Sequence, residues 1–138
     1  MIGKHIFITL LVGVGLVVTI RRFGPAEWTT TQFVGAVLAV VGFCLWTVAR
    51  FQLGASFSVS AQARHLVTKG LYSKIRNPIY VFGSFVMIGV ILMVGKPVWL
   101  LIFVVIIPLQ LSRARKEAEV LDAAFGEEYR RYRASTWF

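Results

Sequence analysis

Four apolar runs constrain this chain more than any other feature. Residues 6–20, 33–51, 78–94 and 98–111 hold a single charged residue between them, Arg50. A water-soluble domain of 138 residues must keep a polar exterior around its core. With 57% hydrophobic residues and a mean hydropathy of +0.74, this chain has too little polar surface for that. The expected fold is all-α, one domain over residues 1–138. It is a polytopic membrane helical bundle with four transmembrane helices near residues 1–20, 33–51, 78–94 and 97–111. A C-terminal amphipathic cytosolic helix follows in the tail, residues 112–138.

Local signals place the ends of these segments. Lys4 and His5 precede the first run, and a signal peptide would share that start. No small-residue cleavage site follows, and Arg21-Arg22 occupies its usual place, so a retained span is expected. Gly24-Pro25 makes a turn, and Thr29, Thr30 and Thr31 prepare a helix start. In the second run Gly35, Ala39 and Gly42 allow a close helix neighbour, while Arg50 is expected to snorkel to the interface. Residues 53–63 read as irregular or interfacial. Asn77 is a good N-cap, and Pro78 at the first helical position loses no hydrogen bond. Gly95-Lys96-Pro97 then folds the last two runs into an antiparallel hairpin, with Pro108 expected to kink the second. In the tail, Gly126 should break the helix and Glu127 start another, lying on the membrane or folding back on the core.

Charge sets the orientation. With the amino terminus, the loop from 53 to 77 and the tail on one side, that side carries 12 of the 15 lysines and arginines; Arg21, Arg22 and Lys96 remain opposite. The bias puts both termini in the cytoplasm, as for a bacterial or archaeal inner-membrane protein. The net charge of +9 therefore reflects topology, and no basic stripe on a soluble fold points to nucleic acid. Cys44, the single cysteine, lies in an apolar run, and no His/Cys set has metal-ligand spacing.

The longest polar interval, residues 64–80, ends in a helix start. A hairpin returns its chain to the face it left, so Asn77-Pro78 should lie near Arg113 and Glu117. Those residues would form a cytosolic cleft. The helix start offers N–H groups and a positive dipole end to an anion, with Arg76 beside it. Tyr72 and Tyr80 offer aromatic faces to a cation. Glu117 is a carboxylate close to the bilayer, where it needs a partner or a task. Plainer roles fit the same residues. Arg113 and Glu117 are spaced for an i,i+4 surface ion pair, Lys69, Lys74 and Arg76 for topology, and the tyrosines for interfacial anchors.

Leu66-Val67-Thr68-Lys69-Gly70-Leu71-Tyr72, followed by Arg76-Asn77-Pro78-Ile79-Tyr80, resembles the signature of the isoprenylcysteine carboxyl methyltransferases and related phospholipid methyltransferases. Arg113-x-x-x-Glu117, then Phe125-Gly126-Glu127-Glu128-Tyr129 and Tyr132, is similar to that family's carboxy-terminal motif. Asn77 stands in place of the family's histidine, and Arg64-His65 where a histidine precedes the Leu-Val pair. The resemblance implies an integral membrane enzyme that binds S-adenosylmethionine in a cytosolic cleft. It would methylate a lipophilic or amphiphilic acceptor drawn from the membrane lipid, an isoprenylcysteine-type carboxylate being one such acceptor. Arg64, His65, Leu66, Val67, Tyr72, Arg76, Asn77, Pro78, Ile79, Tyr80 and Glu117 would hold the cofactor, and Arg113 would face the substrate, with Arg113 and Glu117 at the catalytic centre. A membrane reductase of the sterol-reductase type, with a similar Arg-His-Pro-x-Tyr motif and a reduced nicotinamide, is one alternative. A non-enzymatic lipid-binding module is the other.

Overall fold

The computed structural model describes residues 2–53 and 68–137. Among them every regular element is helical: α1 (Ile2–Phe23), α2 (Thr30–Leu53), α3 (Pro78–Val94), α4 (Phe103–Phe125) and α5 (Glu127–Ser135). Two 3-10 turns, Gly70–Ser73 and Pro97–Ile102, precede α3 and α4. The segment expected to be irregular, and with it Arg64, His65, Leu66 and Val67, lies outside the described residues, apart from Leu53 at the end of α2.

Among the described residues, three helical stretches are long and apolar enough to cross a membrane: Gly3–Phe23, Thr30–Leu53 and the continuous Pro97–Phe125. Pro78–Val94 is also apolar but shorter, at 17 residues. At 1.5 Å per residue it reaches about 26 Å, a little under the ~30 Å of a bilayer's hydrocarbon. The outer faces of α1 and α4 are apolar and uncovered, with Phe7, Leu10, Val104 and Leu109 all exposed. Uncovered apolar surface on this scale is a lipid-facing surface, and the chain is an integral membrane protein.

The expected breaks are mostly present. Thr29 and Gln32 form a reciprocal cap at α2: the Gln32 N–H donates to Thr29 Oγ1 at 3.3 Å and the Thr29 N–H to Gln32 Oε1 at 3.2 Å. Gly95 closes α3 in the left-handed region at φ 76°, where its N–H reaches Leu92 O. Gly126 ends α4, and α5 follows at once. One expectation needs revision. α4 runs past residue 111 unbroken, so the first part of the tail belongs to the same helix, and Pro108 lies inside that helix.

α2 and α3 make the closest packing. Gly35 and Gly89 face each other so tightly that a Cβ on Gly35 would sit 2.7 Å from Gly89 O and from Met93 N. Ala39 is fully buried in this contact, and a Cβ on Gly42 would sit 3.1 Å from Phe85 Cβ. The small residues of α2 therefore meet the neighbour they predicted. Arg50 does not snorkel. It is 6% exposed, with its guanidinium 4.7 Å from the Trp46 ring centre and Nη2 3.4 Å from His5 Nδ1. An aromatic face and a ring nitrogen are thus among its neighbours. The contact also brings the start of α1 beside the end of α2.

Candidate functional site

The first side of the candidate site is built on Gly70. Its φ of +63° is one that side chains resist, and a Cβ there would lie 2.6 Å from the Gln52 amide. Only glycine lets the chain turn against α2 at this point. The Leu71 N–H then donates to Gln52 Oε1 at 2.9 Å, pinning the turn to the end of α2. Tyr72 follows, 5% exposed.

The second side is the start of α3. Asn77 takes the N-cap position but makes no side-chain cap bond. Its backbone carbonyl instead accepts from the Tyr80 and Val81 N–H groups, at 3.1 and 3.2 Å. Pro78 has no N–H, so the helix start offers an anion far fewer donors than expected, chiefly Ile79. Pro78 is fully buried and fixes where Tyr80 emerges.

α4 meets the start of α3 here. The Tyr80 hydroxyl donates to Glu117 Oε1 at 2.5 Å, the short end of the range for a hydroxyl on a carboxylate. The Arg113 guanidinium stands 5.9 Å from the centre of the same ring. The two motifs therefore meet, as the hairpin predicts. Arg113 and Glu117 do not form the ion pair their spacing allows: among the described residues, ion pairs join Arg130 to Asp122 and Glu127, and Arg131 to Glu127. Farther along both helices, Ser84 Oγ lies 3.2 Å from Gln110 Oε1. Gln110, Arg113 and Glu117, at i, i+3 and i+7, make one polar stripe of α4 facing Tyr80 and Ser84.

The tail folds back on the first side. The Tyr132 hydroxyl donates to Tyr72 O at 2.7 Å, and the Trp137 N–H to Lys74 O at 3.2 Å. Arg76 turns toward the tail, with Nη1 donating to Arg133 O at 2.9 Å. Tyr80, Arg113 and Glu117 are thus gathered in one place at the start of α3, with Tyr72 near enough to feel the charge of Glu117, while Arg76 is engaged by the tail.

Gln52, Ser84 and Gln110 had no assigned role from the sequence. Gln110 is the only hydrogen-bonding side chain in residues 100–111, seven residues before Glu117, and that isolation was a usable signal. Gln52 carried none, because its contact with residues 70 and 71 depends on how α2 and α3 pack.

Burial raises the Tyr72 phenol well above its usual value; nearby Tyr132, Glu117 and Tyr80 add to this and Arg50 opposes it. Burial likewise pushes Tyr132 up to about 12, against the pull of Arg76 and with a smaller push from Tyr129. In the unfolded chain a tyrosine ionises near ~10. The stabilising contribution is present below about pH 10, where both states keep the proton, and is lost as pH rises toward 12 because the unfolded chain ionises first. Thermal melts between about pH 9 and 12 should show this fall, and Tyr132→Phe should make it shallower.

The sequence profile of the phospholipid methyltransferase family matches residues 30–128. That stretch contains α2, α3, α4 and every residue of the Tyr80–Glu117–Arg113 contact. The chain belongs to the phospholipid methyltransferase family. Membership favours a membrane methyltransferase over the reductase alternative. A protein-S-isoprenylcysteine O-methyltransferase of Rattus norvegicus is 31% identical to it over 106 residues. The matched stretch covers 72% of this chain and 37% of that relative. No solved structure matches the chain significantly.

Proposed function

We propose that this member of the family transfers a methyl group from S-adenosylmethionine to a lipophilic or amphiphilic acceptor. The reaction would take place in the cleft between the start of α3 and the exit of α4. The observation that carries this reading is the Tyr80–Glu117 hydrogen bond with Arg113 over the same ring, which joins the two motifs in one site. The lining suits such a cofactor chemically: a half-buried carboxylate, Glu117, for a cationic group, with the Tyr80 ring beside it. S-adenosylmethionine supplies, when bound, an electrophilic methyl group on a cationic sulfur. Glu117 and Tyr80 orient that ligand, Tyr72 and Pro78 close the wall behind it, and Ile79 N–H remains for a polar group. Arg113 faces the polar end of the acceptor. A displacement of this kind gains its rate from alignment and exclusion of water, without a covalent enzyme intermediate.

The reading includes four spans, with α3 as a short one whose ends extend into the interface, and a cytoplasmic cleft. The start of α1 lies beside the end of α2, and the tail lies on the turn before α3; this supports one shared face for both termini and the cleft. That face also carries most of the positive charge. An isoprenylcysteine-type carboxylate is one candidate acceptor, suggested by the rat relative and by the cation of Arg113.

The test is transfer of a labelled methyl group by purified protein into a membrane lipid extract, with prenyl thioether carboxylic acids in parallel. Label in one lipid-soluble product is expected. Binding of the cofactor with no labelled product from any acceptor would favour a non-catalytic lipid-binding role.

A further inference from the structure

Residues 129–137 lie beyond the stretch matched by the family profile, yet they hold the first side of the site. We propose that they form a strap that sets cofactor affinity, with Tyr132 and Arg76 as positioning residues. Tyr129 and Tyr132 are 3% and 8% exposed, so the strap is packed down rather than trailing. The buried Tyr132 hydroxyl satisfies Tyr72 O; without it that carbonyl would be left in a site closed to water. Arg76 Nη1 is shared among Arg133 O, Thr136 O and Thr136 Oγ1, at 2.9, 3.3 and 3.0 Å. These acceptors lie at the end of α5, where exposed carbonyls and the negative end of the helix dipole draw a cation. The Trp137 N–H on Lys74 O extends the contact by one more residue.

Arg76 stands two residues before Pro78, and Tyr72 O belongs to the turn set by Gly70 and Gln52. The strap is therefore fastened at both ends of the segment from Tyr72 to Asn77. None of its hydrogen bonds reaches Tyr80, Arg113 or Glu117, so any effect on the cleft passes through Tyr72 and the start of α3. Arg76 thus acts on the cofactor indirectly, as the clamp on α5, and not as an anion contact. This inference rests on the reading that Tyr72 and α3 line a cofactor site.

The experiment uses the full chain in detergent, as wild type, Tyr132→Phe and Arg76→Lys. S-adenosylmethionine affinity, kcat at saturating cofactor, and amide exchange at residues 72–75 without cofactor are measured for each. Tyr132→Phe is expected to weaken binding by about tenfold, the loss of one buried hydrogen bond, and to speed exchange at residues 72–75 by a similar factor. The saturated kcat should stay within about twofold of wild type. Arg76→Lys keeps the charge but cannot reach the same acceptors, and should behave alike. Unchanged affinity in either variant overturns the inference, as does a lower kcat at saturating cofactor with unchanged affinity. Unchanged exchange at residues 72–75 shows that the strap does not hold the turn. Wild type that binds no S-adenosylmethionine sinks the functional reading and the affinity claim together, whereas the other failures leave the functional reading intact.

Discussion

Glu117→Ala is expected to lower S-adenosylmethionine affinity by about a hundredfold, roughly the 3 kcal/mol of a charge-assisted contact in a partly closed site. Methyl transfer should fall at least as far. The size of the effect follows from the inventory of carboxylates. Asp122 and Glu127 are paired with Arg130 and Arg131, and Glu27, Glu119 and Glu128 are exposed. Glu117 is half-buried beside Tyr80, and its partner is a hydroxyl that leaves the charge in place. Among the described side chains, a cationic ligand group at this site would therefore have this one half-buried carboxylate to meet. Tyr80→Phe keeps the ring under Arg113 and removes only the hydroxyl that orients Glu117, so a smaller loss of about tenfold is expected. Isothermal calorimetry on both variants, with thermal melts to verify folding, checks the order. Equal affinity in wild type and Glu117→Ala would remove Glu117 from the site.

Gly89→Leu is expected to abolish the folded protein. A Cβ on Gly89 would lie 2.8 Å from Ala39 Cα, and the atoms opposite are backbone on a packed helix, which cannot swing aside as a side chain can. Even Gly89→Ala should cost about 2 kcal/mol, the usual scale of an extra methyl group in a filled contact. Leucine would have to push α3 off α2. That would also part Leu71 from Gln52 and take the first side of the site with it. Gly15→Leu is the matching control, because nothing lies within 4 Å of a Cβ there. Size-exclusion profiles and thermal melts in one detergent should show Gly15→Leu close to wild type and Gly89→Leu aggregated. A stable Gly89→Leu protein would contradict the α2–α3 contact.

The parts of this fold that are local in sequence could be read from it. The helix start after the threonines, the turn at Gly95, the break at Gly126 and the small-residue face of α2 each depend on a few neighbouring residues. The meeting of Tyr80 with Glu117 was legible for a different reason: a short hairpin loop leaves its two outer ends on one face. Interactions that depend on how separate elements settle together were not legible. Arg50 read as a snorkelling cation because nothing in its own helix reveals His5 arriving from α1. Asn77 read as a side-chain cap, but its backbone carbonyl makes the bonds. Arg76 read as part of an anion site, and the tail that captures it lies 57 residues further along the chain.

The central claim is that the Tyr80–Glu117–Arg113 site binds S-adenosylmethionine. Calorimetric titration of the purified wild-type chain tests it most directly. Saturable binding at one site per chain, competed by S-adenosylhomocysteine and lost in Glu117→Ala, is the predicted result. An absence of binding by folded wild-type protein, or binding that survives unchanged in Glu117→Ala, would contradict it.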